Sequence, residues 1–192
     1  ITQPNKILAN YSVESPICAG NPSAVSINII NTTANQYTIE INDQNTTTSY
    51  VIDSLGNVII GNSQILLYPN LTIDATLISI TDIFGCVSVI NEERNIIVDQ
   101  IPVLSMNLND VCESNPSFIF NQANPQGGTY YVNDKQTNIF NIDSLATGDY
   151  IITYEYTDPL TTCNNYIEEI ISLFPSPKAS FILSPQPADL DD

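Results

Sequence analysis

Two short stretches of this 192-residue chain share one pattern, and they decide its fold. The first, Pro16–Val25, reads PICAGNPSAV, and the second, Asp110–Ile119, reads DVCESNPSFI. Each contains Cys-x-x-Asn-Pro-Ser in front of an apolar run. Proline lacks the N–H that a strand ladder needs, so Asn-Pro interrupts strand pairing at this point. The pattern predicts a cysteine that anchors the start of the next strand, and it predicts this arrangement twice.

Two further markers recur in the same order. Ile-Asp-Ser-Leu occupies residues 52–55 and again residues 142–145. The run ISITDIFGC ends at Cys86 and YEYTDPLTTC ends at Cys163, and each is an alternating strand, then Thr-Asp, a short turn and a cysteine. Three markers in one order indicate two copies of one domain type. Proline-containing boundaries place the first copy at 1–101 and the second at 102–177, with 178–192 as the start of a truncated following domain or a linker.

Hydrophobic periodicity identifies the domain type as all-β. Short β-branched segments such as AVSINIIN, QYTIEIND and TLISITD alternate between apolar and polar residues, and Asn/Asp/Gly/Thr clusters separate them. In GDYIITYEYTD, Tyr150, Ile152, Tyr154 and Tyr156 fall on one face, which we expect to be the core side. About seven short strands in each copy predict two tandem immunoglobulin-like β-sandwich domains.

The second copy also carries a local feature of that fold. The run LATGDY places a leucine, a turn and then Tyr150 at the start of a strand, which resembles the tyrosine corner of immunoglobulin-like domains. The first copy has LTIDATL at this place and contains no tyrosine there. We therefore expect the corner in the second copy and its absence or alteration in the first.

The four cysteines predict disulfides. Their even number, wide spacing and lack of a Cys-x-x-Cys motif argue against a zinc site and for an oxidising compartment. The duplicated context favours Cys18 with Cys86 and Cys112 with Cys163, so that each domain carries one bond. Cross-pairing between the two domains is the alternative.

Composition excludes several classes of function. Asp and Glu total 21 against 4 Lys and Arg, and a net charge of −17 repels nucleic acid and anionic membranes. The chain has no histidine, which removes Ser-His-Asp and Cys-His catalysis. A carboxylate pair for glycoside hydrolysis has no fixed spacing, but the chain has no Trp and no signal of an aromatic-rich cleft. We expect no enzyme activity, no membrane insertion and no cofactor.

Several residues resemble the repeats of giant Bacteroidetes surface proteins, the gliding-motility adhesins that the type IX secretion system exports. These residues are ITQP at the start, Cys18-Ala19-Gly20, and the closing turn Asp82-Ile83-Phe84-Gly85-Cys86. The second copy departs from the pattern, since it has Cys112-Glu113-Ser114. By this resemblance the chain is an internal segment near the C-terminus of its parent, and residues 178–192 enter a PKD-like domain.

The resemblance implies a function and a location. The chain would be a structural and interaction segment of a secreted adhesin on the cell surface, outside the outer membrane, that serves adhesion and gliding. Its partners would be an extracellular polysaccharide or protein, together with type IX translocon and outer-membrane carrier components. The alternative is an accessory carbohydrate-binding or spacer module of a secreted multidomain enzyme.

Two kinds of candidate site remain. Asp53-Ser54-Leu55 and Asp143-Ser144-Leu145 resemble the sequon for O-glycosylation of exported Bacteroidetes proteins, with Ser54 and Ser144 as acceptors; ordinary turn chemistry is the alternative. The acidic end of the chain offers calcium candidates, against the alternative of a solvated acidic surface. These calcium candidates are Asp189, Asp191 and Asp192.

Overall fold

The structure, a computed structural model, describes residues 6–31, 34–44, 46–59 and 64–180. It divides into two compact units. Unit 1 comprises Ile1–Pro102 together with Asp158–Cys163, and unit 2 comprises Val103–Thr157 and Asn164–Asp192. In the described part, all regular structure is β apart from one 3-10 turn, so the all-β prediction is confirmed.

The described residues of unit 1 form nine strands, most of them arranged in two main sheets. The three-stranded sheet has the order β1-β3-β6 and the four-stranded sheet has the order β5-β4-β7-β8, while β2 pairs in parallel with β9. The strands are β1 (Ala9–Val13), β2 (Ile17–Cys18), β3 (Ser23–Ile29), β4 (Tyr37–Asn42), β5 (Thr47–Ile52), β6 (Ile65–Leu67), β7 (Ile73–Asp82), β8 (Val87–Ile96) and β9 (Val98–Asp99).

The core of unit 1 lies between its two main sheets. In β3 the side chains alternate between buried and outward positions, and Val25, Ile27 and Ile29 form the buried set. They belong to the same hydrophobic cluster as Ile39 and Ile41 of β4. Strands with one apolar face bury it against a second sheet, so this alternation accounts for the sandwich-like packing.

Unit 2 repeats most of this topology, and its strands other than β15 and β16 are short. Its five-stranded sheet has the order β10-β16-β15-β12-β13, and β11 pairs with β14. The elements are β10 (Val111–Cys112), β11 (Phe118–Ile119), β12 (Thr129–Val132), β13 (Lys135–Gln136), β14 (Ile139–Phe140), the 3-10 turn (Ile142–Ser144), β15 (Gly148–Thr157) and β16 (Asn164–Phe174).

Among the described residues, five of the six strand pairings of unit 1 have a counterpart in unit 2, and the pair β1–β3 is the exception. The parallel pair β2–β9 matches the parallel pair β10–β16, and the antiparallel pair β3–β6 matches β11–β14. The order β5-β4-β7-β8 matches β13-β12-β15-β16. The duplicated cysteine patterns therefore mark two copies of one strand arrangement.

One of the three sequence markers does not belong to this repeat. Ile-Asp-Ser-Leu at 52–55 lies between β5 and β6, whereas the same letters at 142–145 follow β14, the counterpart of β6. The local structures differ as well. The Asp53 carboxylate accepts the N–H groups of Leu55 and Asn57 at 2.8 and 2.9 Å, while Ser144 closes a 3-10 turn onto the Asn141 carbonyl. Its use as a repeat marker was wrong, because Asp-Ser suits several turn types.

Stacked aromatic rings fill the core of unit 2. The ring centroids of Phe120 and Tyr130 lie 4.8 Å apart, and those of Tyr130 and Tyr154 lie 4.6 Å apart. Ile152 and Tyr154 of β15 are buried, which confirms the tyrosine face as the core side. Thr153 on the opposite face is also buried, because β15 is a central strand with β12 and β16 on either side.

The tyrosine corner of unit 2 is confirmed. The hydroxyl of Tyr150 donates to the backbone carbonyl of Ala146 at 2.7 Å, four residues upstream. Unit 1 has a different arrangement, in which Tyr11 of β1 donates to the Ala75 carbonyl of β7 at 3.0 Å. Burial raises the pKa of Tyr11 to about 12, against the opposing effect of the positive charge on Arg94. The expected alteration of the corner in the first copy is therefore also present.

Replacing Tyr150 with phenylalanine removes only the hydroxyl that donates to Ala146. Because one neutral hydrogen bond contributes about 0.5–1.5 kcal/mol, we expect the free energy of unfolding to fall by about 1 kcal/mol. Urea denaturation followed by circular dichroism measures this change. Tyr166→Phe is the matched control, since Tyr166 is 63% exposed, and it should leave the midpoint unchanged. Equal losses in the two variants would contradict a contribution from the corner.

Candidate functional site

The disulfide of this chain joins Cys18 to Cys163, with the two Cα atoms 5.6 Å apart. Both cysteines lie in unit 1, because the segment Asp158–Cys163 groups with it. Cys86 and Cys112 carry free thiols. The expected pairing of Cys18 with Cys86 and of Cys112 with Cys163 is therefore wrong. The bond instead joins the first cysteine of one sequence copy to the second cysteine of the other.

The length of one strand excludes the expected pair in the first copy. Cys18 lies beside Asp99, just beyond the end of β8, whereas Cys86 lies just before β8 begins. Strand β8 has 10 residues. At about 3.3 Å per residue it separates the two cysteines by about 33 Å. A disulfide requires Cα atoms within about 7 Å of each other, so these two cannot pair.

The second copy repeats this geometry. Cys112 lies beside Phe174, the last residue of β16, and Cys163 directly precedes the first residue of that strand. The 11 residues of β16 span about 36 Å. In both copies the last long strand thus holds the two cysteines at opposite ends of the domain.

Cys18 and Cys112, which we call the front cysteines, occupy equivalent backbone positions. Each is paired in parallel with the strand that ends its own copy. The residue after each donates its N–H to that strand, Ala19 to the Asp99 carbonyl and Glu113 to the Phe174 carbonyl, both at 2.9 Å. The Asn of each Asn-Pro then donates back to the cysteine carbonyl, also at 2.9 Å in both copies.

Cys86 and Cys163, which we call the turn cysteines, share a second local structure. In each turn the aspartate N–H donates to the cysteine carbonyl, at 3.1 Å from Asp82 to Cys86 and at 2.9 Å from Asp158 to Cys163. The aspartate carboxylate accepts N–H groups of its own turn. The residue before each cysteine has a positive φ, 83° at Gly85 and 62° at Thr162. The two turns are therefore equivalent although the second is one residue longer.

The two turn cysteines differ in their environment. Cys163, which is bonded, is 1% exposed, whereas Cys86 is exposed. The apolar residues on either side of Cys86 in the sequence are exposed to solvent. The most exposed of them is Phe84, at 72%. We call this group the turn patch; its members are Ile83, Phe84, Val87 and Val89. Sequence reasoning missed the patch, because the apolar residues of a turn and strand read equally well as core.

The O-glycosylation candidates lie in accessible turns. Ser144 is exposed, and its hydroxyl donates to the Asn141 carbonyl at 2.9 Å. Ser54 is half-buried, and its carbonyl accepts the Ile29 N–H. Modification of the two serines stays a prediction.

The calcium candidates Asp189, Asp191 and Asp192 lie outside the described residues. Within the described ranges, no group of three or more His, Cys, Asp or Glu side chains is placed to hold a metal ion. The carboxylate of Asp158 accepts the N–H groups of Leu160 and Thr161 within its own turn. Glu92 forms an ion pair with Arg94.

An acidic groove crosses the outer face of the unit 2 sheet. Glu155 of β15 lies directly opposite Tyr166 of β16, and Tyr131 of β12 lies opposite Thr153. Together with Glu168 and Asp134, these side chains line a groove of about 310 Å³. The neighbouring Glu155 side chain raises the pKa of Tyr131. The alternation of side chains in β12, β15 and β16 predicts that the groove residues point outward. Only the register of the three strands brings these side chains together.

Distant similarity to solved structures is present, whereas similarity to protein families and curated proteins is not. No protein-family model and no curated protein matches the chain. A solved structure described as "Structural insight into host cell surface retention of a 1.5-MDa bacterial ice-binding adhesin" is similar, with a TM-score of 0.42 and 10% identity. The match covers 90% of this chain and 66% of that one, so the chain spans slightly under two thirds of its neighbour.

None of the residues that the structure describes forms a helix long and apolar enough to span a bilayer.

The disulfide assignment can be tested by non-reducing peptide mapping and by stability. We expect the cross-linked peptides to contain Cys18 and Cys163, and alkylation to label Cys86 and Cys112. The bond closes a loop of 145 residues, for which the chain-entropy relation gives about 5 kcal/mol. The double variant C18S/C163S should lose up to this amount in unfolding free energy.

The matched control is the double variant C86S/C112S. Like C18S/C163S it replaces two cysteines, but it removes no disulfide. Its unfolding free energy should therefore stay within about 0.5 kcal/mol of the parent. Cross-links between Cys18 and Cys86, or between Cys112 and Cys163, would overturn the assignment.

Proposed function

We propose that this chain is a structural and interaction segment of a large secreted cell-surface adhesin, and that it is not itself an enzyme. The observation that carries the proposal is the disulfide between the two sequence copies, which closes a loop of 145 residues. Such a bond suits a chain that transmits tension between its ends.

The mechanical argument follows from the path of the covalent chain. Tension applied at the two ends passes along the backbone to Cys18, across the disulfide, and onward from Cys163. The backbone between the two cysteines, which includes most strands of both copies, carries none of that tension. The hydrogen-bonded ladders within the loop are therefore shielded while the bond is intact.

The charge of the chain supports the same role. A net charge of −17 keeps neighbouring repeats soluble and opposes unspecific association. Secretion is consistent with the disulfide, since such bonds persist in oxidising compartments. Export by the type IX system, contact with its outer-membrane carriers and a part in gliding motility are finer proposals. They are supported by the resemblance of Cys18-Ala19-Gly20 and the turn from Asp82 to Cys86 to the repeats of gliding adhesins.

Single-molecule extension of the chain, held at its two ends, tests the mechanical role. An extended chain reaches about 3.6 Å per residue, so opening the loop of 145 residues releases about 50 nm. We expect this length to be absent under oxidising conditions and to appear when a reductant is added. C18S should show it under both conditions.

The double variant C86S/C112S is the control, because it keeps the bond and should behave like the parent. Release of the full length from the oxidised parent would contradict a mechanical role for the disulfide.

A second candidate function is an accessory carbohydrate-binding module, and the acidic groove of unit 2 favours it. Tyrosine rings beside carboxylates are suited to sugars, because the rings stack on apolar sugar faces and the carboxylates accept hydroxyl hydrogen bonds. Tyr131 and Tyr166 lie in this groove together with Glu155 and Glu168.

A glycan array with the intact chain tests this second candidate. A spacer should give no signal, whereas a binding module should bind defined glycans and lose at least tenfold in affinity in Tyr166→Ala. Tyr68→Ala is the matched control, since Tyr68 is a similarly exposed tyrosine in unit 1. A silent array would remove the carbohydrate-binding candidate and leave the structural proposal in place.

A further inference from the structure

The two free cysteines occupy the same positions as the two bonded ones. Cys112 has the parallel pairing and the backbone hydrogen bonds of Cys18, and Cys86 ends the same aspartate-closed turn as Cys163. The observed disulfide joins a front cysteine to a turn cysteine of the other copy. Each copy therefore has one front cysteine and one turn cysteine. The bond joins the front cysteine of the first copy to the turn cysteine of the second.

From this correspondence we propose that Cys112 forms a disulfide with the turn cysteine of a further repeat of the same kind, and Cys86 with the front cysteine of another. A second copy of this chain provides such a repeat in the test. This inference deepens the proposed function and rests on it in one respect, that the repeats act as an array.

The surroundings of Cys86 agree with a docked partner. Cys163, its bonded counterpart, is buried, whereas Cys86 and the turn patch of Ile83, Phe84, Val87 and Val89 are exposed. Phe174, the residue paired with Cys112, exposes half of its ring. A bond between Cys112 and a second copy's Cys86 brings these two apolar surfaces close together, so both lose contact with water.

The length of β8 and β16 excludes a bond between either free thiol and the other cysteine of its own sequence copy. Cys86 and Cys18 are about 33 Å apart along β8, and Cys163 and Cys112 are about 36 Å apart along β16. No cysteine of its own copy can therefore reach either free thiol. Cys86 and Cys112 are not bonded to each other either, so the proposed partner of each is a cysteine of a further repeat.

The redox chemistry requires an oxidant, and a low-molecular-weight disulfide such as oxidised glutathione supplies it. The Cys112 thiolate attacks one glutathione sulfur, which forms a mixed disulfide and releases one glutathione thiolate. The thiolate of a second copy's Cys86 then attacks the Cys112 sulfur and releases the second glutathione. The two protein thiols lose two protons and two electrons, and the glutathione disulfide becomes two thiols.

The test mixes two single variants of the full chain. C86S retains only the free thiol of Cys112, and C112S retains only that of Cys86. Each variant is incubated with oxidised glutathione alone and in an equal mixture, at about 0.15 M salt so that charge repulsion is screened. Non-reducing electrophoresis and peptide mapping measure the dimers and identify the bonded cysteines.

We expect the mixture to give a heterodimer linked between Cys112 and Cys86, at least tenfold more than either variant forms alone. Phe84→Ser in the C112S background should slow heterodimer formation at least threefold, because it removes the largest side chain of the turn patch. Mapping of each variant for the Cys18–Cys163 bond shows that it is folded. The double variant C86S/C112S stays monomeric.

Two results would overturn the inference. One is a statistical mixture, in which the homodimers and the heterodimer form in the ratio 1:2:1 expected of random collision. The other is a monomer capped by glutathione with no dimer in the mixture. Neither result affects the extension experiment, which depends only on the bond between Cys18 and Cys163, so failure of this inference is distinguishable from failure of the proposed function.

Discussion

The constraint on which this structure depends is the length of the last strand in each copy. Strands β8 and β16, of 10 and 11 residues, hold the front and turn cysteines at opposite ends of each domain. A copy with this geometry cannot close a disulfide on itself. Its cysteines are available only to a neighbour, and the bond between Cys18 and Cys163 is the result. Covalent connection between copies thus follows from the arrangement of strands within each copy.

Sequence reasoning succeeded where the pattern is local. Alternation in β15 predicts the buried face of Ile152 and Tyr154, and LATGDY predicts the hydrogen bond from Tyr150 to Ala146. It failed on the cysteine pairing, because the surroundings of a cysteine identify the kind of turn or strand but not the end of the domain where it lies. The acidic groove was missed for a similar reason, since the register of three strands creates it.

The cross-paired disulfide is compatible with a repeat, although duplicated context alone favoured one bond inside each copy. The front cysteines of the two copies occupy the same position in the strand arrangement, as the backbone hydrogen bonds around Cys18 and Cys112 show. Equivalent positions need not have equivalent partners when the partner belongs to the next copy. Each copy therefore carries a front cysteine and a turn cysteine at opposite ends of its last long strand, and the bond between Cys18 and Cys163 uses one cysteine of each kind.

The proposed disulfide between a front cysteine and a turn cysteine of different molecules has a consequence for assembly. The two surfaces that it unites are different, a front cysteine on one side and a turn cysteine on the other, so the contact is heterologous. Heterologous contacts extend into open chains unless rotation closes them into a ring. With a net charge of −17, separate molecules of this chain repel one another, so a directional covalent bond would hold together a proposed array that electrostatics alone would disperse. In the proposed array, acidity would keep the repeats apart until a front cysteine and a turn cysteine bond, so the two features would complement each other.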